Sequence, residues 1–343
     1  METTTSAPRI GLVMGDPCGI SPELAARLLA DEEIVGAAAI LVIADARILA
    51  GGAEAAGVSL NLPAVTRAAD AELAPGRPVL LDLGHLDPAS VRRGEASAAG
   101  GGYALENFKT GLGLARDGVL DALCFTPFNK QALRLAGNPF EDEMQFAAHF
   151  LGYDGPHGEF NVLENLWNAR VTSHVALKDV SALLSAERIL GALDLTERSM
   201  KAAGFARPRI AVAALNPHAG DGGAFGREEI DVIAPAVEEA KRRQLAVEGP
   251  FPSDTVWLRA RAGQYDAVLT MFHDQGQIAI KLMGFDKGVT VLGGLPVPIT
   301  TPAHGTAYDI AGKGIANPEA ARRAFRIACT MGAARRSSTA ART

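Results

Sequence analysis

At 343 residues, 48% hydrophobic and 21% charged, the chain can bury more than one core, since single cores stop growing near about 250–300 residues. Its net charge of -6 and pI near 5.7, with no basic block interleaved with aromatics, argue against a nucleic-acid surface and point to small-molecule partners. No apolar stretch approaches the roughly 20 residues of a membrane span, and Met-Glu-Thr-Thr-Thr-Ser-Ala-Pro lacks the regions of a signal peptide, so no membrane partner and a cytoplasmic location are expected.

In chain order, short β-rich runs alternate with Ala-, Leu- and Glu-rich helical stretches: Ile10–Met14, Ala39–Ile43, Ala122–Phe125, Ile210–Ala214 and Ala267–Met271. This alternation predicts an α/β fold with a mostly parallel sheet covered by helices. The first strand leads into Gly15-Asp-Pro-Cys-Gly-Ile-Ser-Pro-Glu23, where Ser21 is positioned to cap a helix with Pro22 at its first position. That loop lacks the Gly-Lys-Ser/Thr of a P-loop and the Gly-x-Gly-x-x-Gly of a dinucleotide fold, so locally it reads as a tight turn. Cys18, Cys124 and Cys329 are too few and too scattered for a disulfide framework and are read as reduced thiols; Cys18 has no recognisable base beside it. The polar tail from Arg335 onward is expected to be frayed.

Three histidines follow such runs: His174 in Arg170-Val-Thr-Ser-His, His218 in Leu215-Asn-Pro-His-Ala-Gly, and His273 in Met271-Phe-His-Asp-Gln-Gly. Ligands of α/β folds bind where strands exit, so three imidazoles at three exits are placed to share one metal ion. Taken singly, each would more often be a hydrogen-bonded structural residue. Asp274 reads either as a group orienting its neighbour or as a solvated carboxylate. Phe225 reads equally as a pocket cover and as loop packing, and Trp167 and Trp257 read as core or interface fillers.

The segment His304-Gly-Thr-Ala-Tyr-Asp-Ile-Ala-Gly-Lys-Gly-Ile-Ala-Asn-Pro318 resembles the adenosine-binding loop of the isopropylmalate and isocitrate dehydrogenases. The likeness implies a nicotinamide cofactor held by Gly305, Thr306, Ala307, Asp309, Gly312 and Asn317. Asp309 would accept from the ribose hydroxyls and repel a 2′-phosphate, favouring NAD over NADP. With Thr126-Pro-Phe-Asn-Lys130, Pro252-Ser-Asp-Thr255, the histidine motifs and Lys281, the chain from about residue 10 to 318 resembles the 4-hydroxythreonine-4-phosphate dehydrogenase family. The resemblance implies a divalent metal on His174, His218 and His273, commonly zinc, with magnesium, manganese or cobalt as alternatives, in an active site at a homodimer interface. It further implies a two-domain isocitrate/isopropylmalate dehydrogenase-like fold with a central cleft. Residues 1–130 plus 302–343 would form the cofactor lobe, and 131–301 the metal, substrate and dimerisation lobe.

The family's substrate positions depart from its pattern. Glu143 and Met144 stand where a His-Thr pair follows Gly, and Thr290 and Ile299 where Asn and Arg stand. A carboxylate repels phosphate and a lost Arg removes an anion clamp, so the sequence is read as an NAD-linked dehydrogenase for a non-phosphorylated hydroxy acid or aromatic carboxylate cis-dihydrodiol, with decarboxylation. The alternatives are a 4-hydroxythreonine-4-phosphate or related four-carbon sugar-acid phosphate dehydrogenase, and a catalytically silent ligand sensor. Lys281 would pair with substrate oxygens, and Asp254 or Lys130 would handle the proton.

Overall fold

The computed structural model describes residues 7–340; Met1–Ser6, most of the N-terminal stretch in which no signal peptide is expected, and the final residues 341–343 of the tail lie outside the described residues. It divides into two compact units, residues 1–155 with 289–343, and residues 156–288.

The first unit runs β1 (Arg9–Val13), α1 (Ser21–Leu29), α2 (Glu32–Ala37), β2 (Ala39–Ala44), α3 (Ala46–Ala56), β3 (Ala64–Val65), β4 (Val79–Asp82), α4 (Ala98–Arg116), β5 (Ala122–Phe125), α5 (Lys130–Leu135) and α6 (Glu143–Leu151). The second runs β6 (Gly158–Leu163), β7 (Leu166–Arg170), α7 (Val180–Leu183), α8 (Ala186–Ala202), β8 (Ile210–Ala213), α9 (Ala234–Arg242), β9 (Val247–Phe251), α10 (Ser253–Arg261), β10 (Ala267–Thr270) and α11 (His273–Gly284). The chain then returns to the first unit with β11 (Val289–Gly293), β12 (Ile299–Pro302) and α12 (Glu319–Ala340). The α/β class holds, and the strand-like runs of the sequence are strands to within a residue at either end.

In the first unit the strands lie in the order β3-β4-β2-β1-β5-β12-β11, parallel throughout except for the β11–β12 hairpin. In the second the order is β6-β7-β10-β8-β9, parallel except for β6–β7. Central strands such as β2, Ala-Ile-Leu-Val-Ile-Ala, are buried along their whole length, as expected of a parallel strand covered on both faces.

The crossings expected at 130 and 302 stand instead at 155/156 and 288/289. Packing is the reason. Met144, Phe146 and Ala147 of α6 join Phe108, Phe125 and Phe128 in the first unit's core, with the Phe108 and Phe146 rings stacked 5.7 Å apart. β12 in turn pairs with β5. Each buried Phe contributes about 1.5–3 kcal/mol, which outweighs any local boundary signal. Trp257 lies in the second unit's core with Val256, Tyr265 and Val268, and Trp167 is also buried.

The frayed tail is corrected as well, since α12 continues as helix to Ala340. Ala320, Ala321, Ala324, Phe325, Ala328 and Met331 bury one face of it. Past that face, Arg335 donates to the carbonyls of Ala115, Leu120 and Asp121, and Arg336 pairs with Asp121 at 3.2 Å. Burial alone would raise the Asp121 pKa, but hydrogen bonds from the Arg9 guanidinium and backbone, with Arg336, hold it below its ordinary 3.8.

A carboxylate with a lowered folded-state pKa contributes stability that is present above the unfolded value and lost as pH falls through the folded one. Asp121→Asn is therefore expected to narrow the gap between urea midpoints at about pH 6 and about pH 3; a gap as wide as wild type would show that Asp121 does not set it.

Candidate active site

In the second unit, β7, β10 and β8 are adjacent and parallel, with Leu269 opposite both Ala169 and Val212. The β7–β10 register continues past the strand ends, where the Val171 and Thr172 N–H groups donate to Thr270 O and Met271 O, and the Thr172 hydroxyl also bonds Met271 O at 2.7 Å. His174 and His273 each follow this last rung by two residues. Equal chain lengths beyond a shared register bring their rings side by side, centroids 5.6 Å apart. Asp274 Oδ1 lies 2.7 Å from His273 Nδ1, so it orients that ring in the manner of a carboxylate behind a ligand histidine.

His218 leaves the next strand, β8, through an unusual backbone. From His218 to Gly222 five consecutive residues are left-handed, with φ of 53°, 54°, 81°, 44° and 65°. His174 is left-handed too, at φ 45°. Non-glycine residues adopt this region at a cost, and such strain gathers at functional sites. Phe225, 54% exposed, stands 6.3 Å from the His218 ring. Among the described residues no group of three His, Cys, Asp or Glu side chains is gathered closely enough to hold a metal ion. The donor types nonetheless fit a divalent cation, because the three imidazoles are carried on neighbouring strand exits.

Gln275, which the sequence reading passed over, ties two of these exits, those of β10 and β8, to the start of α10. Its Oε1 accepts from Met271 N at 2.7 Å, and its Nε2 donates to Ala214 O and Ser253 Oγ, both at 2.7 Å. Ser253 itself donates to Ala214 O. Asp254, the next residue, is exposed in the first turn of α10. Lys281 lies eight residues after His273 on α11, about 12 Å along the axis. The signal for Gln275 was its place in His-Asp-Gln-Gly, but nothing local showed that an amide there would span three loops.

In the first unit, the loop expected to hold a cofactor is sewn to the start of α1. Ile20 N donates to Thr306 O, Ala316 N to Glu23 Oε1, and Arg27 to Gly314 O. Buried Asp16 accepts from Tyr308 OH at 2.5 Å and Cys18 N at 2.8 Å. Its pKa is raised because burial outweighs these bonds. Ser21 does not cap α1, since its hydroxyl donates to Pro127 O. Cys18 is buried, and burial with the Asp16 charge pushes its thiol up to about 11. All three cysteines are free, and burial pushes Cys124 and Cys329 up to about 12.

Within the loop, Gly305 and Asp309 are exposed, Ala307 and Gly312 are left-handed, and Asn317 is exposed while its side-chain Oδ1 accepts from Glu319 N. Thr306 is buried against Asn129. Lys130 begins α5 and is exposed. Gly312 also lines a cavity of about 200 Å³ with Arg93, Arg47 and Glu23.

The residues from which an altered substrate pocket was inferred need correction. Met144 and Ile299 are 4% and 0% exposed and lie in the first unit's core. Their side chains hold neighbouring apolar groups, so they say nothing about a substrate's phosphate. Glu143, in the first turn of α6, and Thr290, on β11, are half-buried.

The family model described as "Pyridoxal phosphate biosynthetic protein PdxA" matches residues 36–328. A Rhizobium meliloti protein named "Putative 4-hydroxythreonine-4-phosphate dehydrogenase 2" is 57% identical over 339 residues, 99% of this chain and 97% of its own. A D-threonate 4-phosphate dehydrogenase of Pectobacterium atrosepticum is 38% identical over 90% of this chain and 95% of its own. Among solved structures, the 4-hydroxythreonine-4-phosphate dehydrogenase of Klebsiella pneumoniae superposes with a TM-score of 0.82 at 34% identity, covering 97% and 99% of the two chains. The terephthalate 1,2-cis-dihydrodiol dehydrogenase of Burkholderia xenovorans matches less well, with a TM-score of 0.67 at 28% identity over 94% and 98%. These likenesses overturn the reading of a non-phosphorylated, decarboxylating substrate class.

The left-handed turn yields a prediction. Ala219 at φ 54° bears about 1–2 kcal/mol of strain that glycine escapes, less the roughly 0.5–1 kcal/mol that glycine loses in chain entropy. Ala219→Gly should stabilise the protein by about 0.5–1 kcal/mol in urea unfolding, and a destabilised variant would refute the strain.

With these relatives matched along nearly its whole length, the chain is a dehydrogenase acting on a CH–OH group and belongs to the PdxA family.

Proposed function

We propose that this protein oxidises the secondary hydroxyl of a four-carbon hydroxy acid 4-phosphate with NAD, 4-hydroxythreonine 4-phosphate first and D-threonate 4-phosphate second. The observation that carries the reading is the 57% identity, over nearly the whole chain, with the Rhizobium meliloti relative; the D-threonate arm rests on the Pectobacterium atrosepticum relative.

His174, His218 and His273 would hold a divalent cation, zinc or else magnesium, manganese or cobalt, and the loop from Gly305 through Asn317 would hold NAD. Bound there, the cation supplies Lewis-acid polarisation of the substrate hydroxyl and the nicotinamide supplies a hydride acceptor. The chain's own groups do the rest. Asp274 fixes the His273 ring, and Gln275 ties the exits of β10 and β8 to Ser253 at the start of α10. Lys281 pairs with substrate oxygens, while Asp254 or Lys130 takes the hydroxyl proton. Asp309 accepts from the ribose hydroxyls and disfavours a 2′-phosphate. The working unit is a homodimer: Ile278 and Leu282, 60% and 84% exposed one turn apart on α11, offer it an apolar face beside Lys281.

NADH formation is the test. The two 4-phosphates should exceed their dephosphorylated forms in kcat/KM by at least about 100-fold, because charge-assisted contacts to a phosphate are worth about 1.5–3 kcal/mol each. Equal or faster turnover of a dephosphorylated hydroxy acid would overturn the substrate assignment. His273→Ala should lose bound metal and turnover together; a metal-free variant that still turned over would remove the metal from the mechanism.

A further inference from the structure

Glu229 is 3% exposed, and its donors are the backbone N–H groups of Leu215 and Asn216, at 2.8 and 2.7 Å, and the Asn216 side-chain amide at 3.0 Å. Burying a carboxylate is costly unless its oxygens are filled, and here they are filled by the two residues that lead into Pro217 and His218. The neighbouring Glu228 takes the same Asn216 amide at 2.7 Å and the Ser181 hydroxyl at 2.5 Å. Glu229 also opens a wide π-turn, Glu229–Ile233, a backbone irregularity that is uncommon and recurs at functional sites.

The strained turn is built against this carboxylate. A Cβ on Gly220, whose φ is 81°, would lie 2.7 Å from Glu229 Oε2 and 3.1 Å from Gly226 O. Upstream, Ala214 O is fixed by Ser253 and Gln275; downstream, Phe225 N closes the turn onto Gly220 O. The segment that carries His218 is thus clamped on both sides, and Glu229 is the group that binds its entry strand and backs its turn.

We propose that Glu229 is a positioning residue for His218, holding the left-handed turn in the one arrangement that presents the imidazole to a cation; this rests on reading His218 as a metal ligand. The test is a double-mutant cycle of Glu229→Gln and His218→Ala, read by calorimetric titration of the metal-free protein with zinc, with folding followed by circular dichroism. Gln keeps one acceptor but turns an NH₂ toward the Asn216 amide, so zinc binding should weaken by about tenfold in the wild-type background and by nothing further in the His218→Ala background. Wild-type affinity in folded Glu229→Gln, or an equal loss in both backgrounds, would overturn the proposal. If His218→Ala alone binds zinc as tightly as wild type, the ligand reading fails instead. Should Glu229→Gln not fold, Gly220→Ala, which drives a methyl into the same carboxylate, takes its place in the cycle with the same outcomes.

Discussion

In-register parallel pairing of β7, β10 and β8 is the constraint on which the site in the second unit depends. A parallel ladder sets equivalent residues of neighbouring strands at one height, and the rung from Thr172 to Met271 carries that alignment two residues short of His174 and His273. A slip of one residue would turn one ring to the opposite face. The Thr172 hydroxyl on Met271 O and the Gln275 amide across three loops guard against such a slip where the ladder itself has ended.

Buried polar groups do comparable work in both units. Asp16 draws Tyr308 and Cys18 to itself, Glu23 takes Ala316 N, and Glu229 gathers Leu215 and Asn216. Each joins a strand-exit loop to a distant segment. Left without its partners, each would cost about 1–3 kcal/mol or more as an unsatisfied buried group, so these bonds favour the one loop arrangement that makes them. The strain of the His218–Gly222 turn persists because these contacts over-determine it.

Met144 and Ile299 occupy motif positions where polar side chains stand in the family, yet both are sealed in an aliphatic and aromatic core with Phe108 and Phe125. A residue's place in a motif says where its Cα lies in the chain, and its chemistry bears on a ligand only when the side chain faces one. The domain crossings failed for a related reason. The contacts that assign α6 to the first unit are made with Phe108, more than thirty residues away in sequence.

The sequence by itself determined the α/β class, the strand-helix alternation, the family and the place of His174, His218 and His273 just beyond β-rich runs, because periodicity, composition and motif order are local properties. Only the tertiary structure decided that the His174 and His273 rings lie side by side, that α12 runs on to Ala340, that Glu229 and Gln275 tie down the exits of β8 and β10, and that Met144 and Ile299 are core. Those facts depend on which segments pack together, and packing is fixed by burial and hydrogen-bond satisfaction summed over residues far apart in the chain.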